Sequence, residues 1–182
     1  MEISKILKEN NFEFSKNFGQ NFITDTNLLN AIVEDCNLSK DDEVLEIGTG
    51  AGTLTSAISK KAKKVVTFEI DKRLKEVLQT TLSNLDNVDV VFADIMKLEL
   101  CEIESHFDGK YTMVANLPYY ITTPIIFKFL ESQKLKSLNI MVQKEVAERI
   151  VQKNGKDYGI LSIMIDFYGD AKISRIVKRE LF

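Results

Sequence analysis

Three glycines at alternate positions, Gly48, Gly50 and Gly52, follow the apolar run Glu43-Val44-Leu45 and precede Ser56 to Lys60, which has the composition of a helix start. A chain that leaves a strand, turns sharply and enters a helix presents unpaired amide donors, and residues without a Cβ let a ligand approach that backbone closely. Such a turn suits a nucleotide-like ligand. In the dinucleotide pattern G-x-G-x-x-G the third glycine follows the second by three residues and pyrophosphate lies at the helix N-terminus; here the third glycine comes one residue earlier. Glu46, just before the turn, would repel a pyrophosphate and attract the ammonium and sulfonium of S-adenosylmethionine. A bare glycine triplet is equally well a tight turn. The next apolar run, Ala62 to Phe68, shifts the balance, because it ends in Glu69-Ile70-Asp71 about twenty residues beyond the first glycine, where a ribose-binding carboxylate is expected.

Two further strand ends carry candidate chemistry. Val88 to Ala93 reads as a strand that ends at Asp94, whose carboxylate either accepts a hydrogen bond from an adenine amino group or caps the following turn. Tyr111 to Ala115 runs into Asn116-Leu117-Pro118-Tyr119. Asn and Pro favour turns, yet the same four residues suit methyl transfer to the exocyclic amine of a base. That amine is a poor nucleophile because its lone pair is delocalised into the ring. The Asn116 side-chain carbonyl and the Leu117 backbone carbonyl could accept its hydrogens and draw the lone pair out of conjugation. Pro118 would stiffen the turn, and Tyr119 would offer a flat face to an extruded base.

These residues need an alternation of strands and helices to position them. Ile3, Ile6 and Leu7 suggest a short N-terminal amphipathic helix, and Lys16 to Ile23 suits a loop over a ligand or a hydrophobic staple before the next helix. Thr24-Asp25 offers an N-cap for a helix from Asn27 to about Cys36. Further helices are expected over Lys72 to Ser83, from Thr122-Thr123-Pro124 to Leu130, over Lys144 to Gln152 and over Ile160 to Tyr168, with a fifth strand at Leu138 to Val142. Glu99 to Lys110 reads as irregular, and Lys172 to Val177 alternates as a strand does.

The 182 residues, 45% apolar, suffice for one domain with a sizeable core. A net charge of −3 and a pI near 5.4 exclude bulk charge as the means of gripping nucleic acid. Lysines 60, 61, 63 and 64 read as a solvated face or as protection for a strand edge; a second basic group comprises Lys172, Arg175, Lys178 and Arg179. Cys36, Cys101 and His106 show no metal-ligand spacing, and both thiols are expected to be buried or inert. No signal peptide or membrane-length apolar run is present, so a cytoplasmic protein without metal or membrane attachment, and a monomer, is expected.

Five stretches, in order, resemble the rRNA adenine N6-dimethyltransferases, and within them the KsgA/RsmA type: Phe18-Gly19-Gln20-Asn21-Phe22, Glu46 to Thr55, Asn116 to Tyr119, Gln143-Lys144-Glu145-Val146 and Tyr158-Gly159-Ile160-Leu161-Ser162. The resemblance implies an α/β fold, a seven-stranded, mostly parallel Rossmann-like class I S-adenosylmethionine-dependent methyltransferase domain with helices on both faces. It also implies dimethylation of two adjacent adenosines near the 3′ end of small-subunit rRNA, on a precursor particle, during ribosome assembly. On that resemblance the cofactor contacts fall on Asn21, Ile23, Gly48, Gly50, Glu69, Ile70, Asp94 and Asn116, and the catalytic residues are Asn116, Leu117, Pro118 and Tyr119. Family members continue into a last antiparallel strand and a helical RNA-binding domain, which this chain is expected to lack, and Phe182 falls near an aromatic that would sandwich the base. Gly19 and Leu117 fit the small-subunit type rather than the large-subunit, macrolide-resistance type. A non-catalytic ribosome-assembly factor of the same fold is a further alternative; an NAD-dependent oxidoreductase is disfavoured by the glycine spacing and Glu46.

Overall fold

β1 (Glu43–Ile47) is buried along its whole length, and β2 (Lys64–Glu69) and β4 (Tyr111–Asn116) are nearly so. Runs this apolar and β-branched suit the middle of a parallel sheet covered on both faces. In the computed structural model, which describes Ile6, residues 23–155 and residues 158–178, these strands are joined by β3 (Val88–Phe92) and β5 (Leu135–Met141) in one parallel sheet ordered β3-β2-β1-β4-β5. The chain moves outward from β1 to β3, then returns to lay β4 on the other side of β1. Strand order therefore reverses between β1 and β4, and ligands of open α/β sheets bind at the carboxyl ends of such a pair.

Alternate residues of a strand face opposite sides. Leu45, Ile47, Val66, Phe68, Met113 and Ala115 pack with Ile103 of α4 (Leu100–Glu104) and with Ile125 and Phe129 of α5 (Thr122–Leu130). Val44, Val65 and Val114 pack on the other face with α1 (Thr26–Asp35) and α2 (Thr53–Ser59). A 3₁₀ turn at Lys72–Leu74 leads into α3 (Lys75–Thr81), whose Val77 and Leu78 are buried with Leu74, Leu82, Ala51 and Ile6. As expected, Asp25 caps α1, its side chain accepting from the Leu28 N–H at 2.8 Å. The last helices are α6 (Lys144–Ile150) and α7 (Ile160–Tyr168), tied together where Ser162 Oγ donates to the Arg149 carbonyl at 2.6 Å. The helices expected at 144 and 160 are thus present, and they carry the Gln143–Val146 and Tyr158–Ser162 stretches at their starts.

The amino ends of the strands are fastened by charge. Asp42 accepts from the Ser39 N–H and Oγ, both at 2.7 Å, and pairs with Lys136 of β5. Glu43 accepts from Lys63 Nζ at 3.0 Å and from the Asp108 N–H at 2.9 Å. The Lys136 and Ser39 hydrogen bonds hold the Asp42 carboxyl below its ordinary range. Burial pushes Glu43 up, but Lys63 and the Asp108 amide together outweigh it, so it too sits low.

Several expectations change. Residues 172–177 belong to no strand, and the described residues contain five strands where the resemblance implies seven; alternation makes a strand only where a neighbour offers its backbone groups. The segment expected to be irregular contains α4, started by a capping box in which Glu99 and Glu102 serve each other's backbone N–H. Lys63 and Lys64 flank or open β2, which is interior, so they guard no edge; they bind Glu43 and the His106 carbonyl instead. Arg175 pairs with Asp35 at 2.6 Å. Cys36 is buried, which pushes its thiol up to about 11, whereas Cys101 is exposed. The N-terminal helix apart from Ile6, the Lys16–Phe22 part of the loop, Arg179 and Phe182 lie outside the described residues.

Gly52 offers a test of the close packing behind the turn. Its φ is +83°, and a Cβ there would lie 2.9 Å from Leu82 Cδ2 and 3.0 Å from Thr81 Oγ1. Gly52→Ala is expected to lower Tm by roughly 5–10 °C, from about 1–3 kcal/mol of left-handed strain together with the clash. Gly109→Ala, where a Cβ meets nothing within 4 Å, should leave Tm within about 1 °C by the usual small effect of surface changes. Equal shifts in both variants would refute the packing described.

Candidate active site

The glycine turn is built by its own backbone. Gly48, Gly50 and Gly52 have φ of +82°, +56° and +83°, the left-handed region that glycine enters without strain. The Gly48 N–H donates to the Phe68 carbonyl at 2.9 Å, and the Gly50 N–H donates to Glu69 Oε2 at 2.8 Å. Glu69 Oε1 accepts from the Asp71 N–H at 2.8 Å. The carboxylate at the end of β2 therefore latches the turn, with lone pairs left for a ligand. Burial pushes Glu69 upward, the Asp71, Gly50 and Ile70 amides pull it back, and the neighbouring Asp71 charge adds to the rise.

Across the gap, a Cβ on Gly48 would stand 3.8 Å from the Asn116 carbonyl oxygen, so the turn and the end of β4 face each other closely. Beyond Asn116, Leu117 is buried, and a 3₁₀ turn, Tyr119–Ile121, is closed by Ile121 N–H and Thr122 Oγ1 donating to the Pro118 carbonyl, each at 3.2 Å. Asp94 Oδ1 accepts from the Met96 N–H at 3.1 Å and Oδ2 lies 3.6 Å from Lys97 Nζ. Asp94 thus caps its turn and also lines the cavity.

One cavity of about 350 Å³ gathers Ile23, Gly48, Gly50, Glu69, Ile70, Asp94, Asn116 and Pro118. Leu117 and Tyr119 do not line it: Leu117 packs into the core, and Tyr119 projects to solvent with 63% of its surface exposed. Asn21 lies outside the described residues. The sequence reading missed Thr49, Ala93, Met96, Tyr120 and Ile121, which also line the cavity. Thr49, Ala93 and Tyr120 are adjacent in sequence to predicted residues, and that adjacency was the available signal; Met96 and Ile121 each lie two residues beyond one, Asp94 and Tyr119.

Glu46 is corrected. Its alternation with Leu45 and Ile47 points it, like Val44, toward α2, where it is fully buried and does not line the cavity. Thr55 Oγ1 donates to Oε2 at 2.6 Å, while Oε1 has no hydrogen-bond partner among the described residues. Burial pushes this carboxyl up to about 8, against the pull of the Thr55 and Thr67 hydroxyls, and the Glu69 charge adds to the rise. Near neutral pH it is mostly protonated, so it exerts no full charge on a ligand.

The sign of the resulting pH dependence follows. A carboxyl whose folded pKa exceeds its unfolded value leaves the native state holding the extra proton between the two, so stability falls as pH rises from about 4.5 toward 8. Asp42 and Glu43, both depressed, contribute stability that is lost as pH falls below their ordinary range. The cofactor-free chain should therefore be most stable near pH 5, with on the order of 3 kcal/mol less stability at pH 7.5 from Glu46. Urea unfolding at several pH values checks this: Glu46→Gln should flatten the alkaline limb, and a limb unchanged in that variant would refute the assignment.

The residues present fit an S-adenosylmethionine-sized ligand. The cavity, about 350 Å³, lies within the 300–1,000 Å³ of small-molecule sites, its lining includes backbone left open at Gly48 and Gly50, and Glu69 and Asp94 offer it carboxylate acceptors. Among the described residues no group of three or more His, Cys, Asp or Glu side chains is placed to hold a metal, and no helix is long and apolar enough to cross a membrane.

Parallel sheet, helices on both faces, a glycine turn after β1 and a carboxylate ending β2 together define the Rossmann-like fold of the class I methyltransferases. Two solved structures share it at 32% identity: a dimethyladenosine transferase from Plasmodium falciparum (TM-score 0.67, covering 80% of this chain and 52% of that one) and the 23S rRNA methyltransferase ErmE (TM-score 0.65, 72% and 51%). The chain belongs to the ribosomal RNA adenine dimethylase family, whose model matches residues 11–182. Proteins named ribosomal RNA small subunit methyltransferase A are similar to it throughout: 47% identity in Streptococcus gordonii, over 97% of this chain, and 44% in Clostridioides difficile, over 98%. The chain spans 63% of the length of each of these two relatives.

Proposed function

We propose that this chain transfers methyl groups from S-adenosylmethionine to N6 of adenine in small-subunit rRNA, on two adjacent adenosines near the 3′ end, in a cytoplasmic ribosome precursor. The observation that carries this reading is the placement of Asn116 at the end of β4, directly opposite the glycine turn, on one cavity with Glu69 and Asp94. The 44–47% identity to small-subunit enzymes, against 32% to ErmE, supports the small-subunit substrate.

Bound there, S-adenosylmethionine supplies an electrophilic methyl group on its sulfonium. Glu69 accepts from the ribose hydroxyls with the lone pairs that Gly50 and Asp71 leave free, and Asp94 accepts from the adenine amine. Ile70 gives the adenine ring an apolar face, and Gly48 and Gly50 let the amino-acid portion lie against backbone. Ile23 packs against the cofactor from the cavity wall, and Asn21, two residues earlier in the sequence, contributes a further contact to it. The Asn116 side-chain oxygen and the Leu117 carbonyl accept the two hydrogens of the target amine and turn its lone pair toward the methyl carbon. Tyr119, already solvent-facing, stacks on the extruded base. Pro118 fixes the turn that presents all three. The chain needs no strong base, since a methylated aryl-ammonium nitrogen gives its proton readily to water. Catalysis is thus positioning and preorganised electrostatics.

Incubation with methyl-tritiated S-adenosylmethionine and small-subunit particles that lack the modification tests this. N6-dimethyladenosine in small-subunit rRNA is the expected product. Label confined to large-subunit rRNA would move the chain to the macrolide-resistance type, and cofactor binding without transfer to any particle would favour an assembly factor.

A further inference from the structure

Two adjacent tyrosines in the turn after β4 are exposed almost equally, Tyr119 by 63% and Tyr120 by 64%, yet of the two it is Tyr120 that lines the cavity. The mechanism uses the first and leaves the second without a task. Position in the sheet says which part of a ligand Tyr120 would meet. With strands ordered β3-β2-β1-β4, Asp94 and Met96 beyond β3 and Glu69 and Ile70 at the end of β2 lie on one side of the glycine turn, and Asn116, Pro118 and Tyr120 at the end of β4 lie on the other. A cofactor laid across the turn with its adenosine toward the first group turns its amino-acid and sulfonium portion toward the second.

No residue of the Tyr119–Ile121 turn is buried. The turn is held by its backbone instead, through the Ile121 N–H and the Thr122 hydroxyl on the Pro118 carbonyl, and Thr122, Ile125 and Ile126 are buried just beyond it. The Tyr120 backbone is thus placed while its side chain still shows most of its surface to solvent. Phe68, the other aromatic among the lining residues, is the opposite case: it is 2% exposed and edge-on to His106 at 5.6 Å, with little surface left for a ligand. An aromatic face covered by a ligand contributes in proportion to the apolar area removed from water, and a tyrosine with two side-chain torsions loses little freedom in doing so. We propose that Tyr120 is the residue that caps the bound cofactor, packing its ring against the amino-acid and sulfonium portion and slowing its escape. Tyr119, outside the cavity, remains open to the acceptor. The neighbouring tyrosines therefore divide the two ligands between them: Tyr120 retains the cofactor and Tyr119 receives the base. The inference rests on the cofactor reading above.

Chemical protection of the unsubstituted whole chain tests this without a variant. Tetranitromethane nitrates exposed tyrosine rings, and fragment-ion mass spectrometry of the digested chain tells adjacent residues apart. Saturating S-adenosylhomocysteine, the stable product form of the cofactor, is expected to slow nitration of Tyr120 several-fold, while Tyr119 and Tyr168, which is 46% exposed and outside the cavity lining, react at unchanged rates. Calorimetry and stopped-flow dissociation add an energetic readout. Tyr120→Ala should raise the Kd for S-adenosylmethionine and S-adenosylhomocysteine about tenfold, mainly through faster release, and Tyr120→Phe, which keeps the ring, should stay within about twofold of the parent. In a chain that binds the cofactor, protection of both adjacent tyrosines alike, protection of neither, or parental affinity in Tyr120→Ala would overturn the proposal and leave the cofactor reading intact. Failure of both ligands to bind the unsubstituted chain would overturn the two together.

Discussion

Asn116→Ala is expected to lower kcat for methyl transfer by about 10²–10³-fold, the usual loss when one preorganised polar group at a reacting centre is removed, with the Kd for S-adenosylmethionine within about threefold of the parent. The asymmetry follows from position. Asn116 is the last residue of β4 and still half-buried, so its backbone stays registered against Met141 whatever its side chain. The gap to the turn is set by its carbonyl, 3.8 Å from the Gly48 Cβ position, and alanine retains that carbonyl. What alanine lacks is the side-chain acceptor for the target amine. Single-turnover assays with pre-bound cofactor separate the two effects, and transfer at near the parental rate would remove Asn116 from the chemistry.

Glu69→Ala should act in the opposite sense, raising the Kd for S-adenosylmethionine about 100-fold or more. Two losses combine. The ligand's hydroxyls lose a charged acceptor, worth about 1.5–3 kcal/mol, and the Gly50 and Asp71 N–H groups lose the carboxylate that fixes the turn. Glu69→Gln separates them, since an amide oxygen can still receive one N–H while the charge is gone; an intermediate affinity is expected. Calorimetry on both variants checks the order, and parental affinity in the alanine variant would mean that the cofactor lies elsewhere.

Much of this site could be read from the chain because its residues sit at the ends of short apolar runs. Gly48, Glu69, Asp94 and Asn116 each follow such a run, and a parallel sheet delivers the carboxyl ends of all its strands to one edge. The errors have physical causes too. Glu46 lies in the same motif, but which side of β1 it faces depends on strand pairing that begins twenty residues away, so its burial left no local mark. The five-residue helix at 100–104 is too short to show apolar periodicity; its signature was the Glu99 and Glu102 pair, a capping pattern rather than a core pattern. Residues 172–177 alternate well, yet pairing is a property of two segments, and inspection of one cannot supply the other. Tyr119 was placed by its ring chemistry, and Tyr120, equally aromatic and one residue on, is the one that lines the cavity.

The ion pairs of Asp42 and Glu43 join the β1, β2 and β5 region and the Asp108 loop at the edge of the sheet opposite the cavity. Division of labour between the two edges has an evolutionary and practical corollary. Mutational drift, or deliberate grafting, in the turn after β4 exchanges the surface that meets the acceptor without touching the charges that hold the strands in register. A library confined to residues 118–120, built on this frame, should yield folded proteins at high frequency even where acceptor choice changes, whereas randomising 42, 43, 63 and 136 should yield few.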